Sequence, residues 1–278
     1  MPNTTSAISL DLPDDVFQSI SDRMQALYGI HLPPEKKPLV HSRLARRVRS
    51  LRLGSFDAYL TFLEAEDNAA ERLEMLAALT TNVTSFFREA HHFRILAEQV
   101  FANRPSKAPP IKIWSAGCST GAEPVSAAIT WLENGGTLDG LRILGTDIDH
   151  KILRKAGLGE YSKSEVANLS PDRLEKFFSQ TKHGNFKTSH AVQSLMTFRS
   201  LNLNEPFPFS GKFDAIFCRN VAIYFDEPTQ ARLWDKLSDC LMPGGVLFIG
   251  HSERLDPKTS SKLKNIGITA YQRHINGE

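Results

Sequence analysis

Long apolar runs are absent from this chain of 278 residues. No window approaches the roughly 20 apolar residues that a helix needs to cross a bilayer. The N-terminus (MPNTTSAISLDLPDD) is polar and then acidic, whereas a secretory signal has basic residues followed by an apolar stretch. We therefore expect a cytoplasmic protein with no direct membrane insertion.

Cysteine is also scarce. Cys118, Cys218 and Cys240 are widely spaced, and no C-x-x-C pair occurs. This pattern argues against a disulfide framework and against a structural zinc site. His91 and His92 are adjacent, so on a helix they would not share a face as paired metal ligands do. We expect them to be structural, and we expect no metal site.

Charge is nearly balanced, with 33 Lys and Arg against 31 Asp and Glu and a formal net charge of +2. One stretch departs from this balance, because residues 35–54 contain seven basic residues and one acidic residue. The basic residues are Lys36, Lys37, Arg43, Arg46, Arg47, Arg49 and Arg52. A face of this kind is most often only solvated, and nucleic acid is the usual second interpretation.

Residues 1–80 have helical periodicity throughout. Apolar residues recur at spacings of three and four in four successive segments, namely residues 14–28, a stretch from Pro38 to Gly54, a stretch that Ser55 can cap, and residues 70–79. These segments predict an all-helical N-terminal domain over 1–80. Residues 86–99 are also expected to be helical.

Residues 81–278 follow a different pattern, in which short apolar strands alternate with helices. This alternation predicts an α/β domain with a mostly parallel, doubly wound sheet. Residues 161–198 interrupt it, with a helix opened by Ser170 and a hairpin around Gly184. We interpret that segment as a small β-subdomain inserted before the third strand of the sheet.

The first strand-to-helix turn is the usual ligand cradle of such a sheet, because ligands bind beyond the carboxyl ends of the strands. Here that turn reads SAGCSTGAEP and contains Gly117 and Glu123. The second strand ends at Asp147, in the place where a carboxylate can bind both hydroxyls of an adenosine ribose.

Two cofactor classes use this geometry. A dinucleotide places its pyrophosphate on the helix N-terminus and usually requires G-x-G-x-x-G, but this turn has only G-x-x-x-G and carries Glu123 where phosphate would approach. S-adenosylmethionine has no phosphate and carries a sulfonium and an ammonium group. The residues therefore favour S-adenosylmethionine, while a glycine turn that serves only sheet packing stays a third interpretation.

Six segments together resemble the bacterial chemotaxis receptor methyltransferases, the CheR-like protein-glutamate O-methyltransferases. They are LTTNVTSFFREAHHF (79–93), WSAGCSTGAEPVSAAI (114–129), TDIDHKIL (146–153), NLN (202–204), FDAIFCRNVAIYFD (213–226) and PGGVLFIGHSE (243–253). The resemblance covers nearly the whole chain. It implies a receptor-docking helical domain followed by a Rossmann-like class I methyltransferase domain. It also implies methyl transfer from S-adenosylmethionine to glutamate carboxylates of chemoreceptors, with S-adenosylhomocysteine as product.

The resemblance further implies roles for individual residues. It assigns cofactor binding to Asn82, Thr84, Arg88, Gly117, Glu123, Asp147, Asn202, Leu203, Arg219 (through its backbone) and Asn220. It assigns catalytic roles to Arg88, which pairs with a carboxylate of either the cofactor or the incoming glutamate, and to Tyr224 on the substrate side. Packing beneath the loop is the alternative for Tyr224.

The absence of common acid–base catalytic motifs is consistent with methyl transfer to a carboxylate. Free glutamate has a pKa of about 4.3 and is ionised at neutral pH, so no strong base is required, and the sequence contains no Ser-His-Asp or H-E-x-x-H pattern. The missing (D/N)-P-P-(Y/F) signature argues against amino-group methylation of nucleic-acid bases. A non-catalytic S-adenosylmethionine-binding regulator of a signalling array is the remaining alternative.

The resemblance gives the basic stretch a partner. Receptor methylation regions are acidic helical bundles, so the resemblance makes Arg43, Arg46, Arg47, Arg49 and Arg52 a docking face for the cytoplasmic methylation helices rather than for nucleic acid. Family members that bind a C-terminal tethering peptide of the receptor carry a glycine-rich loop in the hairpin of the β-subdomain. The hairpin here has a single glycine, and we expect no tethering peptide to bind.

Overall fold

The computed structural model describes residues 10–102, 108–255 and 261–275. It divides into two compact units, Met1–Thr81 and Asn82–Glu278. Residues 1–9, which entered the expectations about targeting and about the first domain, lie outside the described residues. Within the described ranges, no helix is long and apolar enough to cross a membrane.

The described part of the first unit is built from four α-helices. They are α1 (Asp14–Tyr28), α2 (Lys37–Ser50), α3 (Phe56–Glu64) and α4 (Ala69–Leu79). α1 ends because Gly29 adopts a left-handed conformation with φ of 74°. Ser55 caps α3 by accepting a hydrogen bond from the Ala58 amide at 3.1 Å. The predicted helical bundle is confirmed.

The end of α2 differs from the prediction. α2 ends at Ser50 rather than at Gly54, because Arg52 has a positive φ of 57°. The Leu53 amide then donates back to the Val48 carbonyl at 3.0 Å. A residue in the left-handed conformation cannot continue the hydrogen bonding of a right-handed helix. The helix therefore ends before Ser55, which caps α3.

The buried face of α2 explains where its arginines lie. Val40, Leu44 and Val48 are fully buried at a spacing of four, as an amphipathic helix requires. Arg43 and Arg47 each follow one of these residues by three positions, so they border the apolar stripe and not the opposite face.

Arg43 binds within its own unit. Its Nη1 donates to the carbonyls of Ala78, Leu79 and Thr80 at 3.2, 3.1 and 3.1 Å. These carbonyls lie at the C-terminal end of α4, where helical acceptors have no partner within the helix. Arg43 is therefore a helix cap.

Arg47 also binds within its own unit. Its Nε donates to Glu71 Oε1 at 3.0 Å, its Nη2 makes a second, shorter bond to the same carboxylate, and its Nη1 lies 3.4 Å from Glu74. Glu71 is only 7% exposed and accepts a third bond from the Tyr59 hydroxyl at 2.9 Å. Burial beside that carboxylate raises the pKa of Tyr59 above its usual value, which keeps the hydroxyl a donor.

The prediction that all five arginines form a docking face stays a prediction. The guanidinium groups of Arg43 and Arg47 bind acceptors of the first unit and are only partly exposed. Arg46, Arg49 and Arg52 are exposed and are the more accessible members of the face.

The second unit contains ten strands in its described part. They are β1 (Ile111–Ala116), β2 (Leu141–Asp147), β3 (Glu160–Tyr161), β4 (Phe178–Gln180), β5 (Phe186–Thr188), β6 (Met196–Ser200), β7 (Phe213–Cys218), β8 (Leu241–Ile249), β9 (Leu263–Gly267) and β10 (Ala270–Arg273). Seven form one sheet in the order β6-β2-β1-β7-β8-β10-β9. Neighbours from β6 to β8 are parallel, whereas β10 is antiparallel to β8 and β9. The predicted mostly parallel sheet is confirmed.

The described part of the second unit also contains six α-helices. They are α5 (His91–Leu96), α6 (Ala122–Glu133), α7 (His150–Leu158), α8 (Pro171–Phe177), α9 (His190–Gln193) and α10 (Glu227–Cys240). Successive residues of one strand enter different cores, since Phe217 belongs to one hydrophobic cluster and Ile216 to another. This alternation shows that both faces of the sheet are covered, as a doubly wound fold requires.

The helix expected over 86–99 begins later. Phe87 and Glu89 have positive φ values of 51° and 56°, so the chain turns there and becomes helical only at His91. Ala97–Phe101 continues α5 as a π-helical turn. The residues before His91 are therefore a loop whose side chains are not placed by helical spacing.

The inserted subdomain is a three-stranded antiparallel sheet in the order β3-β5-β4. Ser170 caps α8, as predicted, and Gly184 has a φ of 79° in the hairpin. The inserted sheet begins at Glu160, while Met196 already belongs to the main sheet. The subdomain contacts the first strand-to-helix turn, because the Tyr161 hydroxyl donates to the Thr120 carbonyl at 3.0 Å.

Replacing Arg47 by alanine is expected to destabilise the first unit by about 2–4 kcal/mol, because the buried Glu71 carboxylate loses its cation. Denaturant unfolding of the full chain, followed by a probe in the first unit, measures this change. Arg46→Ala is the matched control and is expected to alter stability by less than about 0.5 kcal/mol, since Arg46 is exposed. Equal stability of the two variants would contradict the structural role of Arg47.

Candidate functional site

The candidate site lies at the carboxyl ends of β1, β2 and β7. β1 lies between β2 and β7 in the sheet. The chain proceeds from β1 to β2 on one side and returns to β7 on the other, so the strand order reverses next to β1. Open α/β sheets bind ligands at such a switch point.

The turn after β1 depends on glycine. Gly117 has a φ of 78°, and a Cβ there would lie 2.4 Å from the Val221 side chain. The amides of Gly117 and Cys118 both donate to the Thr146 carbonyl at 2.8 Å. The turn is thereby fixed to the end of β2 and packed against the loop after β7.

Asp147 ends β2 and faces this turn. Its Oδ2 accepts from the Ser119 amide at 2.9 Å and its Oδ1 from the Asp149 amide at 3.1 Å. Burial raises the pKa of Asp147, and these amides oppose the rise. Each carboxylate oxygen can accept more than one hydrogen bond, so Asp147 retains acceptor capacity for two hydroxyls.

Asp149 has a different role. Its Oδ1 accepts from the amides of Lys151 and Ile152 at 2.8 and 3.3 Å and caps α7. The expectation that Asp149 is a helix cap is confirmed.

Glu123 lies in the first turn of α6. Its Oε1 accepts from the Ser115 hydroxyl at 2.6 Å, and its Oε2 is paired with Arg219 Nη1 at 3.2 Å. Burial raises the pKa of Glu123, while Arg219 and the Ser115 bond lower it. A carboxylate at a helix N-terminus occupies the place where a phosphate would bind, so the site suits a cation.

Arg219 contributes more than its backbone. Its side chain is 2% exposed, contacts Glu89 Oε1 at 3.7 Å and donates a short hydrogen bond to the Arg88 carbonyl. The sequence assigned only the Arg219 backbone to the site and did not find Glu89. Glu89 also accepts from the backbone amide of His251 at 3.3 Å.

Glu89, His91 and His92 offer ligand atoms that lie within 4.8 Å of one another. The sequence did not predict this cluster, because Glu89 lies in the loop before α5 and not on the helix that carries the two histidines. The Arg219 guanidinium lies 3.7 Å from Glu89 and 3.2 Å from Glu123, so the two carboxylates share its charge. Burial and Arg219 lower the pKa of His92 to about 3. Its Nε2 lies 2.9 Å from Thr269 Oγ1 and 3.2 Å from the Ile268 carbonyl, so this ring nitrogen has partners within the fold.

The segment 82–88 borders the same turn. The Asn82 carbonyl accepts from the Ser119 hydroxyl at 3.1 Å, and the Asn82 side chain lies 3.5 Å from Asp149 Oδ2. Arg88 Nη1 donates to the Val83 carbonyl at 3.1 Å, and its charge contributes to lowering the pKa of Glu123. Thr84 is partly exposed.

Asn202 and Leu203 follow β6, next to the end of β2. The Leu201 amide donates to the Asp147 carbonyl at 3.1 Å, which places the following residues beside Asp147. The Asn202 side chain accepts from the Asn204 amide at 3.0 Å and donates to Glu205 at 3.1 Å. Leu203 is buried.

Asn220 and Tyr224 follow β7. Asn220 has a positive φ of 59°, and Tyr224 ends a short 3-10 helix, Ala222–Tyr224. Glu253 holds this loop by accepting hydrogen bonds from several of its amides. Glu253 is the last residue of the PGGVLFIGHSE segment, and the sequence pattern predicted no role for it.

These residues lie around two part-buried carboxylates, Glu123 in the first turn of α6 and Asp147 at the end of β2. The arrangement fits a ligand that combines a cationic amino-acid end with a ribose. Protein donors hold both carboxylates, so the arrangement favours chemistry that depends on alignment and charge.

Two family models match the chain. The model described as "CheR methyltransferase, SAM binding domain" matches residues 82–272, and the model described as "CheR methyltransferase, all-alpha domain" matches residues 15–80. Together they cover most of the chain, and the first spans every residue assigned above to cofactor binding. S-adenosylmethionine is therefore the cofactor of the second unit.

Curated relatives agree with the models. A protein of Rhizobium etli named "Probable chemotaxis protein methyltransferase" is 43% identical over 90% of this chain and 96% of its own. A "Chemotaxis protein methyltransferase 2" of Pseudomonas aeruginosa is 41% identical over 92% and 91%. A "Chemotaxis protein methyltransferase" of Salmonella typhimurium is 43% identical over 88% and 85%.

Asp147→Ala is expected to weaken binding of S-adenosylhomocysteine at least tenfold, because hydrogen bonds to a charged acceptor contribute about 1.5–3 kcal/mol each. Isothermal titration calorimetry measures the affinity, and circular dichroism checks that the variant is folded. Asp172→Ala, which removes an exposed carboxylate of α8, is the control and should bind normally. Unchanged affinity of Asp147→Ala would contradict the ribose assignment.

Proposed function

The chain belongs to the CheR methyltransferase family, and we propose that it methylates glutamate side chains of chemoreceptors, forming glutamate methyl esters during chemotaxis adaptation. The observation that carries the proposal is the pair of part-buried carboxylates, Glu123 and Asp147, at the switch point of the sheet. They can hold a cationic cofactor and its ribose without a phosphate site. A cytoplasmic location belongs to the same proposal.

The chemistry places few demands on the residues of the cleft. Bound S-adenosylmethionine supplies a methyl group that its sulfonium has already activated. A glutamate side chain is ionised at neutral pH, so the protein need not remove a proton. What the cleft must provide is alignment and partial removal of water from the incoming carboxylate.

Arg88 and Tyr224 are the residues we assign to that task. We propose that the Arg88 guanidinium pairs with a carboxylate, either that of the cofactor or that of the substrate, and that the Tyr224 hydroxyl orients the nucleophile. Support comes from their positions, since Arg88 influences the charge of Glu123 and Tyr224 follows directly on the loop that carries Asn220. Asn82, Thr84, Gly117, Asn202, Leu203, Arg219 and Asn220 complete the proposed cofactor site.

Docking is assigned to the first unit. We propose that Arg46, Arg49 and Arg52 bind the acidic methylation helices of a receptor. Their exposure supports this role, and their side chains are not used as caps or internal ion pairs in the way that Arg43 and Arg47 are. Exposed charges steer encounter and weaken with salt.

We also propose that no C-terminal tethering peptide is needed. A peptide that added to the inserted sheet would pair with an edge strand, and the two edges here are β3, with two residues, and β4, with three. Such short edges offer few backbone hydrogen bonds. This agrees with the single glycine of the hairpin.

Incubation with labelled S-adenosylmethionine and receptor fragments tests both proposals. We expect base-labile label on glutamate, with equal rates for a fragment that keeps its C-terminal tail and one that lacks it. Label absent from all receptors tested, with cofactor binding intact, would favour the regulatory alternative. A rate that depends on the tail would overturn only the proposal about tethering.

Reversing the three exposed arginines, as Arg46→Glu, Arg49→Glu and Arg52→Glu together, is expected to lower kcat/KM for receptor methylation at least tenfold. The loss should shrink as salt rises, and binding of S-adenosylhomocysteine should not change. A matched reversal of the exposed residues Arg94, Arg154 and Lys163 controls for net charge. Equal rates for the two triple variants would return the basic face to a solvated surface.

A further inference from the structure

We propose that Glu253 is a positioning residue of the methyltransferase site. Its carboxylate fixes the conformation of the loop that carries Asn220 and Tyr224. The part of this inference that concerns turnover rests on the proposed function. The part that concerns cofactor binding does not, since it can be measured without a receptor.

Glu253 is a buried carboxylate whose hydrogen-bond partners, among the residues that the structure describes, are four backbone amides. It is 3% exposed, and its Oε1 accepts from the amides of Val221 and Ala222 at 3.0 and 2.8 Å. Its Oε2 accepts from the amides of Asn220 and Gly250 at 3.0 and 2.6 Å. Burial raises the pKa of Glu253 and these four amides oppose the rise, so the bonds offset the cost of burying the charge.

The loop that Glu253 holds has a conformation that needs support. Asn220 has a φ of 59°, a region that non-glycine residues adopt at a cost. Beginning with Asn220 itself, the amides of three successive residues donate to one carboxylate. Those amides precede or begin the 3-10 helix that ends at Tyr224. The carboxylate thus fixes where the loop begins and how it leads to Tyr224.

The same loop packs against the cofactor turn. A Cβ on Gly117 would lie 2.4 Å from the Val221 side chain, and a Cβ on Gly250 would lie 2.7 to 2.9 Å from atoms of Asn220. The loop is therefore in close contact with glycine backbone at two points. A displacement of Val221 would be transmitted to the turn that binds the cofactor.

Substitution by glutamine tests the bonds and keeps the shape. A glutamine at this position presents one oxygen acceptor and one NH2 group, and that NH2 group would face two amide donors. We expect Glu253→Gln to raise the Kd for S-adenosylhomocysteine about tenfold or more, since each unsatisfied buried amide is costly. We also expect kcat for receptor methylation to fall about tenfold, with the KM for the receptor fragment unchanged.

Calorimetry separates positioning from a merely structural role. A positioning role predicts a weaker Kd at full stoichiometry, whereas partial unfolding predicts a lower stoichiometry and an unchanged Kd for the folded fraction. Amide hydrogen exchange should accelerate at residues 220–222 while β8 stays protected. The control is Glu175→Gln, the same change at an exposed carboxylate, which is expected to behave as the wild type.

Gly250→Ala provides an independent variant if Glu253→Gln folds poorly. Its methyl group would displace Asn220 from the other side and is expected to raise the Kd in the same way. The inference is overturned if Kd and kcat of both variants stay within twofold of the wild type, or if only the stoichiometry falls. A wild-type protein that methylates no glutamate, while its Glu253→Gln variant still loses cofactor affinity, would overturn the proposed function and leave the positioning role intact.

Discussion

The candidate site depends on the ion pairs of one buried guanidinium group, that of Arg219. The Arg219 side chain is 2% exposed, so its positive charge needs negative groups of the protein close by. Two carboxylates from different parts of the chain supply them. Glu123 comes from the first turn of α6 and Glu89 from the loop before α5. The short bond to the Arg88 carbonyl adds a third contact. The end of β7, the cofactor turn and the segment 82–90 are thereby held to one another by a single charged group.

This network also determines which ligand the site accepts. Glu123 is neutralised in part by Arg219, yet it stands at the N-terminus of α6, where phosphate would otherwise bind. Asp147 keeps acceptor capacity after bonding two amides. A ligand with an ammonium group and a ribose satisfies both, whereas a dinucleotide would bring its pyrophosphate against a carboxylate. The preference for S-adenosylmethionine follows from the position of Glu123. It does not follow from the fold or from Asp147, because dinucleotide-binding proteins also use an acidic residue at this strand end to bind a ribose.

The features that were predictable from sequence are those with a local cause. The glycine turn, Glu123 and Asp147 follow from where a strand ends and a helix begins, and the parallel sheet follows from alternating strands and helices. Glu89, Glu253 and the side chain of Arg219 could not be found in this way, because their partners are distant in sequence, as Glu253 is from residues 220–222. The bonds that Arg43 and Arg47 make within the first unit do have a local signal in the sequence. Each lies three positions after a buried residue of α2 and therefore beside the apolar stripe.

The anchoring of these charges agrees with a reaction that needs no proton transfer. A catalyst that works by alignment requires side chains that already have their final positions before substrate binds, since reorganisation at the moment of reaction would cost rate. Glu123 is fixed by a hydroxyl and a guanidinium, Asp147 by two amides and Glu253 by four. Protein groups hold each of these carboxylates in place. Two of the donor amides belong to non-glycine residues with positive φ, namely Ser119, which donates to Asp147, and Asn220, which donates to Glu253.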